Sequence, residues 1–370
     1  MKSLFLIGGW MSGLFFAILS GLSFFSGHYL SSLLILVVTA LLIPPMRTWL
    51  GKRLSRPIPL WLRSILIPSL FFLSIFLIFN DMGNPSSIYK NPETEDKLMR
   101  IYSDRMEQWP VPYEERIIDT EYGKVYLIIS GPADGPPLIL LHASAMSSWS
   151  WLYNIEGLNR IYRTYAIDTI GDAGRSQLTN IVKFPADGEL LALFYSDLMD
   201  SLAIQKASLI GASQGGFIAT NIALYAPERV EKLILCGPMG YSGTTLSVLR
   251  ILFTTMFPVK PVRQNASTWA FGEDPGIQTA VGEWFETILT GVISRQARPQ
   301  PFSKDQLMKI RQPVLLIVGS RDGLVGDPRE AEMSVQSISN VRVKELDTGH
   351  LISAEKPQAF NRIVLDFLRS

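Results

Sequence analysis

Hydrophobic positions are spread unevenly along the chain. No Asp, Glu, Lys or Arg occurs from Ser3 to Met46, and a second apolar run covers Leu60 to Phe79, interrupted only by Arg63. A membrane-crossing helix needs roughly 20 mostly apolar residues, so the first run has room for two spans, broken at Ser26 to Tyr29. The second run can form a third if Arg63 extends to the interface. Residues 1–80 are therefore expected to be a membrane region of three helices in contact with the lipid bilayer. Arg47, Lys52, Arg53, Arg56 and Arg63 lie between the second and third spans with no acidic residue among them. That bias puts the loop in the cytoplasm and everything after Asp81 on the extracytoplasmic side. A cleaved signal peptide is the competing reading of the first run, because one Lys ahead of an apolar stretch fits that pattern as well.

Past Asp81 the pattern changes. Residues 81–114 read as a linker with a lead-in helix over Glu93 to Gln108. Residues 115–370 alternate short apolar runs with helix-length segments. Strands are expected at Arg116 to Thr120, Lys124 to Ser130, Leu138 to His142, Thr164 to Asp168, Ala207 to Gly211, Lys232 to Cys236, Val314 to Gly319 and Val341 to Leu346. The first two can close a hairpin around Glu121-Tyr122-Gly123, and the spacing of the others implies a mostly parallel eight-stranded sheet flanked by helices. Leu191, Phe194, Leu198 and Leu202 mark one helix face; Phe360, Ile363, Val364, Phe367 and Leu368 mark another. The interval between Cys236 and Val314 is far too long for a loop and is expected to hold a helical cap over about residues 241–305. Trp269, Phe271, Trp284 and Phe285 supply it with aromatic surface, for covering a pocket or for packing the cap on itself.

Composition narrows the function. A net charge of +1 gives no basic footprint for nucleic acid. The single cysteine, Cys236, rules out an intrachain disulfide and a cysteine-built metal site, and its apolar neighbours suit a buried thiol. The number of chains in the assembly is not readable.

The chemistry centres on Gly211-Ala212-Ser213-Gln214-Gly215. A serine hydroxyl needs a base to take its proton and a position clear of the backbone. A strand running into Gly-x-Ser-x-Gly and out into a helix meets the second need. The base must be one of three histidines. His28 falls in the membrane region and His142 ends an earlier strand, which leaves His350 in Asp347-Thr348-Gly349-His350, after the last strand. The acid that orients it is expected at the end of the preceding strand, Asp322 first and Asp327 as the second choice.

The order Ser213, Asp322, His350 is that of α/β-hydrolases, and the chain from about Tyr113 onward resembles that family, in detail its bacterial carboxylesterase-type members. Leu140-Leu141-His142-Ala143-Ser144, Asp168 to Ser176, Gly211 to Gly216, Gly319 to Asp322 and Gly349-His350 carry the resemblance. It implies an α/β-hydrolase fold and hydrolysis of a small-molecule carboxylic ester without cofactor or metal; membrane anchoring points to a hydrophobic ester, or equally to an ordinary esterase that is merely retained. It also implies an oxyanion hole made by the backbone amides of Gln214 and Ser144. Ala143 stands where the family more often has Gly. Asp168 and Arg175 belong to a turn motif and are read as structural, and His142 as shaping the oxyanion loop. The same triad serves carbon-carbon bond, lactone or perhydrolase chemistry. A haloalkane dehalogenase is disfavoured by the serine, and a proline iminopeptidase by the lack of a Gly-rich stretch after His142. From a different class, the alternative is an inactive, membrane-tethered binding protein.

Overall fold

The computed structural model describes residues 10–20, 29–53, 59–80, 87–179, 185, 187–242, 260–272 and 275–370. The chain forms two compact units, Met1–Gly83 with Leu252–Val262, and Asn84–Ile251 with Arg263–Ser370.

In the first unit, α1 (Trp10–Ser20), α2 (Tyr29–Leu42) and α4 (Leu60–Asn80) follow the apolar runs, and α3 (Pro44–Arg53) covers the start of the basic stretch between them. Pro44 and Pro45 cannot continue α2, because they lack the N–H donor and push the preceding residue out of the helical region. At the first turn of α3 the same residues are tolerated. Ser20 and Ser32 tie α1 to α2, each hydroxyl donating to the other residue's carbonyl at 2.8 and 2.9 Å. Ile35, Val38 and Leu41 are buried, whereas Trp10, Met11, Leu14, Phe15 and Ile18 of α1 are exposed. Among the described residues no single helix is long and apolar enough to cross a membrane; Trp10–Ser20 and Trp61–Ser74 are shorter, and Ser32–Leu42 passes only together with Pro44–Leu50, across an 89° bend. Composition counted three spans from the length of the runs; the Pro44-Pro45 break and Pro68 inside α4 are what such a count does not register. His28 and the expected break at residues 26–28 lie outside the described residues.

The second unit opens with α5 (Pro92–Met106), started by Asn91, whose side chain accepts the Thr94 N–H, and by Pro92 at the first helical position. Nine strands follow: β1 (Tyr113–Thr120), β2 (Gly123–Ser130), β3 (Pro137–Leu141), β4 (Arg163–Ile167), β5 (Gln177–Leu178), β6 (Ala207–Ala212), β7 (Val230–Cys236), β8 (Val314–Gly319) and β9 (Val341–Leu346). Eight of them lie in the order β1-β2-β4-β3-β6-β7-β8-β9, and the two-residue β5 pairs β2 off that path. β1 and β2 form the antiparallel hairpin, β2 also runs antiparallel to β4, and every pairing from β4 to β9 is parallel.

The central strands are apolar on both faces because both are covered. After the short α6 (Ile155–Leu158) come α7 (Gly188–Ser201) and α8 (Gln214–Tyr225), which build one core with Ile139, Leu141, Leu209, Leu233 and Leu316. Leu138, Leu140, Ile210, Ile234 and Ile317 face the other, packed against Phe360, Val364 and Phe367 of the last helix, Pro357–Arg369. The edge strand β9 instead carries exposed Arg342, Lys344 and Glu345, charges that discourage pairing with another chain. The connection leaving β3 runs to β4 on one side, and that leaving β6 runs to β7 on the other. In open α/β sheets that reversal leaves a crevice at the carboxyl ends of the two strands. Leu141 and Ala212, the last residues of β3 and β6, stand at that place.

Candidate active site

Ser213 follows β6 directly and precedes α8, with φ 51° and ψ −112°. A left-handed conformation costs a non-glycine residue about 1–2 kcal/mol, so the surroundings must enforce it. Two bonds to the end of β7 and the turn beyond it do so: Ser213 N–H donates to Cys236 O at 2.9 Å, and Met239 N–H donates to Ser213 O at 3.1 Å. Close approach does the rest. A Cβ on Gly211 would lie 2.3 Å from Gly215 O, and one on Gly215 would lie 2.2 Å from Leu141 O. Gly215 thereby lets the first turn of α8 sit against the end of β3, which brings the elbow beside the loop His142-Ala143-Ser144.

The expected acid and base follow the ends of β8 and β9. His350 Nδ1 lies 2.8 Å from Asp322 Oδ2, with both side chains almost fully buried. A carboxylate oxygen only accepts, so Nδ1 carries the proton and Nε2 keeps its lone pair. Asp322 Oδ1 accepts the Leu324 N–H at 2.9 Å. Gly237, at φ 47° after β7, makes room for the pair, since a Cβ there would meet Asp322 Oδ2 at 2.9 Å. Asp327 is placed elsewhere: it caps helix Pro328–Val335, accepting the Arg329 N–H at 2.9 Å. Ala212 and His350 line one apolar cleft with Met146, Trp149, Cys236 and the cap residue Val281. Cys236 is free and buried there, and burial pushes its thiol well above the ordinary range.

The oxyanion loop is pinned on both sides of Ser144. His142 Nε2 accepts the Thr169 N–H at 2.9 Å, so Nδ1 is the donor of the 2.8 Å bond to Ala143 O. Burial lowers the affinity of His142 for a second proton. In a trans peptide the N–H points opposite to the C=O. Holding Ala143 O therefore aims the Ser144 N–H. Gln214, the other expected donor, is the first residue of α8, where the amide has no partner within the helix and the helix dipole favours negative charge. Its side chain donates to Ala297 O at 2.8 Å.

Asp168 binds the loops together: its carboxylate accepts Ser148 N–H at 2.7 Å, Ser148 Oγ–H at 2.5 Å and Arg175 N–H at 2.7 Å. Arg175 itself turns outward to Glu115 at 2.8 Å and lies over the Tyr102 ring. Neither group reaches the cleft through these contacts. Sequence reasoning passed over Gly237, Ala145 and Asp172. A glycine straight after a strand was the available signal for the first. Nothing local marks the other two, whose partners are remote in the chain.

The alpha/beta hydrolase fold family matches residues 136–256. The carboxylesterase YbfK of Bacillus subtilis is 30% identical over 282 residues, which cover 74% of this chain and 93% of that protein. The 2-hydroxy-6-oxononadienedioate/2-hydroxy-6-oxononatrienedioate hydrolase of Burkholderia vietnamiensis is 28% identical over 263 residues, 63% of this chain and 86% of that one. Among solved structures, naproxen esterase from Bacillus subtilis superposes with a TM-score of 0.69 at 26% identity, covering 75% of this chain and 99% of that one. The strand order, the elbow and the relatives agree: the chain belongs to the α/β-hydrolase family. It is a hydrolase.

Proposed function

We propose that the protein hydrolyses carboxylic esters through an acyl-enzyme formed on Ser213. Ser213 Oγ attacks the ester carbonyl carbon while His350 Nε2 takes its proton, and Asp322 holds the imidazole in the required tautomer. The Gln214 and Ser144 amides donate to the oxyanion of the tetrahedral intermediate. His350 then gives its proton to the departing alkoxide, and a water deprotonated by the same nitrogen releases the acid. This chemistry calls for no cofactor. The observation that carries the reading is a strained serine beside β3 together with the buried 2.8 Å His350–Asp322 bond. The carboxylesterases among the relatives support the ester as substrate, and the apolar lining of the cleft supports hydrophobic acyl groups.

p-Nitrophenyl esters of increasing acyl length, given to the full chain, test this. Turnover that disappears in Ser213→Ala is expected; turnover that survives it rules the reading out. The Burkholderia relative favours one alternative, cleavage of a carbon-carbon bond by the same triad. Activity on a dienoic diketo acid and on no ester would select it.

We further infer that residues 1–80 anchor the hydrolase domain at the extracytoplasmic face of a membrane. The uncharged run from Ser3 to Met46, the basic loop after it and the exposed apolar side chains of α1 support this. A reporter joined after Asp81 should be active only outside the cytoplasm. Activity only inside would reverse the orientation, and release of the protein by high salt would remove the anchor.

A further inference from the structure

Asp172 follows Gly171 in the turn that closes over the oxyanion loop. It has no place in the reaction just described, yet it is buried. Its Oδ2 accepts the Ala145 N–H at 2.9 Å and Gln296 Nε2–H at 2.8 Å, and Oδ1 accepts the Ala173 N–H at 2.9 Å. Ala145 is in the left-handed region, φ 60°, and its carbonyl accepts the Trp284 Nε1–H at 2.9 Å from cap helix Pro275–Gly291. The residue is thus held at both polar atoms, its N–H by the turn and its C=O by the cap. The peptide unit fixed by Asp172 is the one that follows Ser144, just as His142 fixes the unit that precedes it.

We propose that the ionised Asp172 carboxylate is a positioning residue for the oxyanion hole, holding the strained Ala145 so that the Ser144 amide faces the reacting carbonyl. This rests on the assignment of Ser144 as an oxyanion donor. All three partners are donors, the set an ionised carboxylate accepts, whereas the NH2 of an asparagine must confront one of them. The same carboxylate receives the segment after the cap, where Gln296 binds Oδ2 and Arg295 N–H donates to Gly171 O at 2.7 Å. Cap closure and oxyanion geometry therefore meet on one group.

Ionisation is opposed by the setting. Burial pushes the Asp172 carboxyl up to about 7; the Ala173, Ala145 and Gln296 donors pull it down, and neighbouring Asp168 adds to the rise. The other titratable groups facing it are Tyr89, whose hydroxyl bonds Gly174 O, and His142 on the oxyanion loop. Tyr89 stays protonated, because burial raises its phenol well above the ordinary range, and His142 is held neutral as described. Asp172 thus sets an acid limb of its own on the reaction at Ser213.

The rate of Ser213 labelling by a fluorophosphonate, followed from about pH 5 to pH 9 in the full chain, reads this without knowledge of the substrate. The wild-type rate should fall on the acid side as Asp172 takes up its proton, near pH 7. Asp172→Asn should label ~10- to 100-fold more slowly at the alkaline plateau and with a shallower acid slope, that proton's part being gone. Gln296→Leu, which removes a single donor at the surface of the network, should move the acid limb upward by roughly half a pH unit or more and label normally above it. An Asp172→Asn rate and slope like wild type, or an unmoved limb in Gln296→Leu, overturns the proposal while leaving the triad intact. Absence of labelling on wild-type Ser213 overturns the ester-hydrolase reading and the role of Asp172 with it.

Discussion

At the scale of single residues, the two carboxylates weighed as the triad's acid differ in what their partners ask of them. Asp322 is bonded to the His350 ring and the Leu324 amide, whereas Asp327 is bonded only to the start of the helix it caps. His350→Ala and Asp322→Asn should each lower kcat by ~10⁴-fold, the latter by admitting the wrong tautomer. Asp327→Ala should leave kcat within about twofold and lower unfolding free energy by about 1 kcal/mol, the usual loss of a cap. Steady-state kinetics and urea titrations separate these outcomes, and an equal loss of turnover at Asp327 would mean that the acid had been misassigned.

Asp172 has a further consequence for stability. Its folded value lies above the ordinary carboxylate range, so the folded state binds the proton more tightly than the unfolded state. The stabilisation is complete below about pH 4 and is lost as the pH rises through about 7. Asp172→Asn cannot ionise and escapes that loss. Its melting temperature should therefore gain on the wild type between about pH 5 and pH 8 in calorimetric scans; a constant difference would show that the carboxyl does not titrate in this window.

At the scale of elements, the site depends on strand ends placed by close contacts between glycines and neighbouring backbones. Gly215 permits α8 to touch β3, and an added Cβ would meet Leu141 O at 2.2 Å. Gly215→Ala should displace the first turn of α8 and reduce fluorophosphonate labelling by ~10²-fold, with little change if the turn merely tilts. The cap helix Pro275–Gly291 reaches the same loop through Trp284, which packs edge-on against Trp149 with ring centroids 5.5 Å apart. Trp284→Phe keeps an aromatic ring and removes the bond to Ala145 O, so turnover should drop more than apparent KM rises. A rise in KM alone would make the cap a lid over the substrate and nothing more.

The elements differ in how far they could be read beforehand. The central strands β3, β6, β7 and β8 begin and end within a few residues of their apolar runs, because burial on both faces writes each as an uninterrupted hydrophobic segment. β5 spans two residues, too few for any period to show. Ser213 and His350 were legible from a local motif and from the scarcity of histidine. Asp172 was not, since its ties to Ala145 and Gln296 join residues 27 and 124 positions apart. The apolar N-terminal runs were legible as composition, but their division at Pro44-Pro45 and the 89° bend that follows are matters of backbone geometry.

At the scale of the whole molecule, one unit carries the sheet, the elbow and the His350–Asp322 pair, and the other holds the apolar helices α1, α2 and α4 with the basic α3. The proposed chemistry rests on Ser213 as the nucleophile. The most direct measurement is reaction of the full chain with a fluorophosphonate probe, followed by mass spectrometry of the labelled peptide. The account predicts a single adduct on Ser213, abolished in Ser213→Ala and strongly slowed in His350→Ala. An unlabelled wild-type chain, or an adduct that persists in Ser213→Ala, would contradict it.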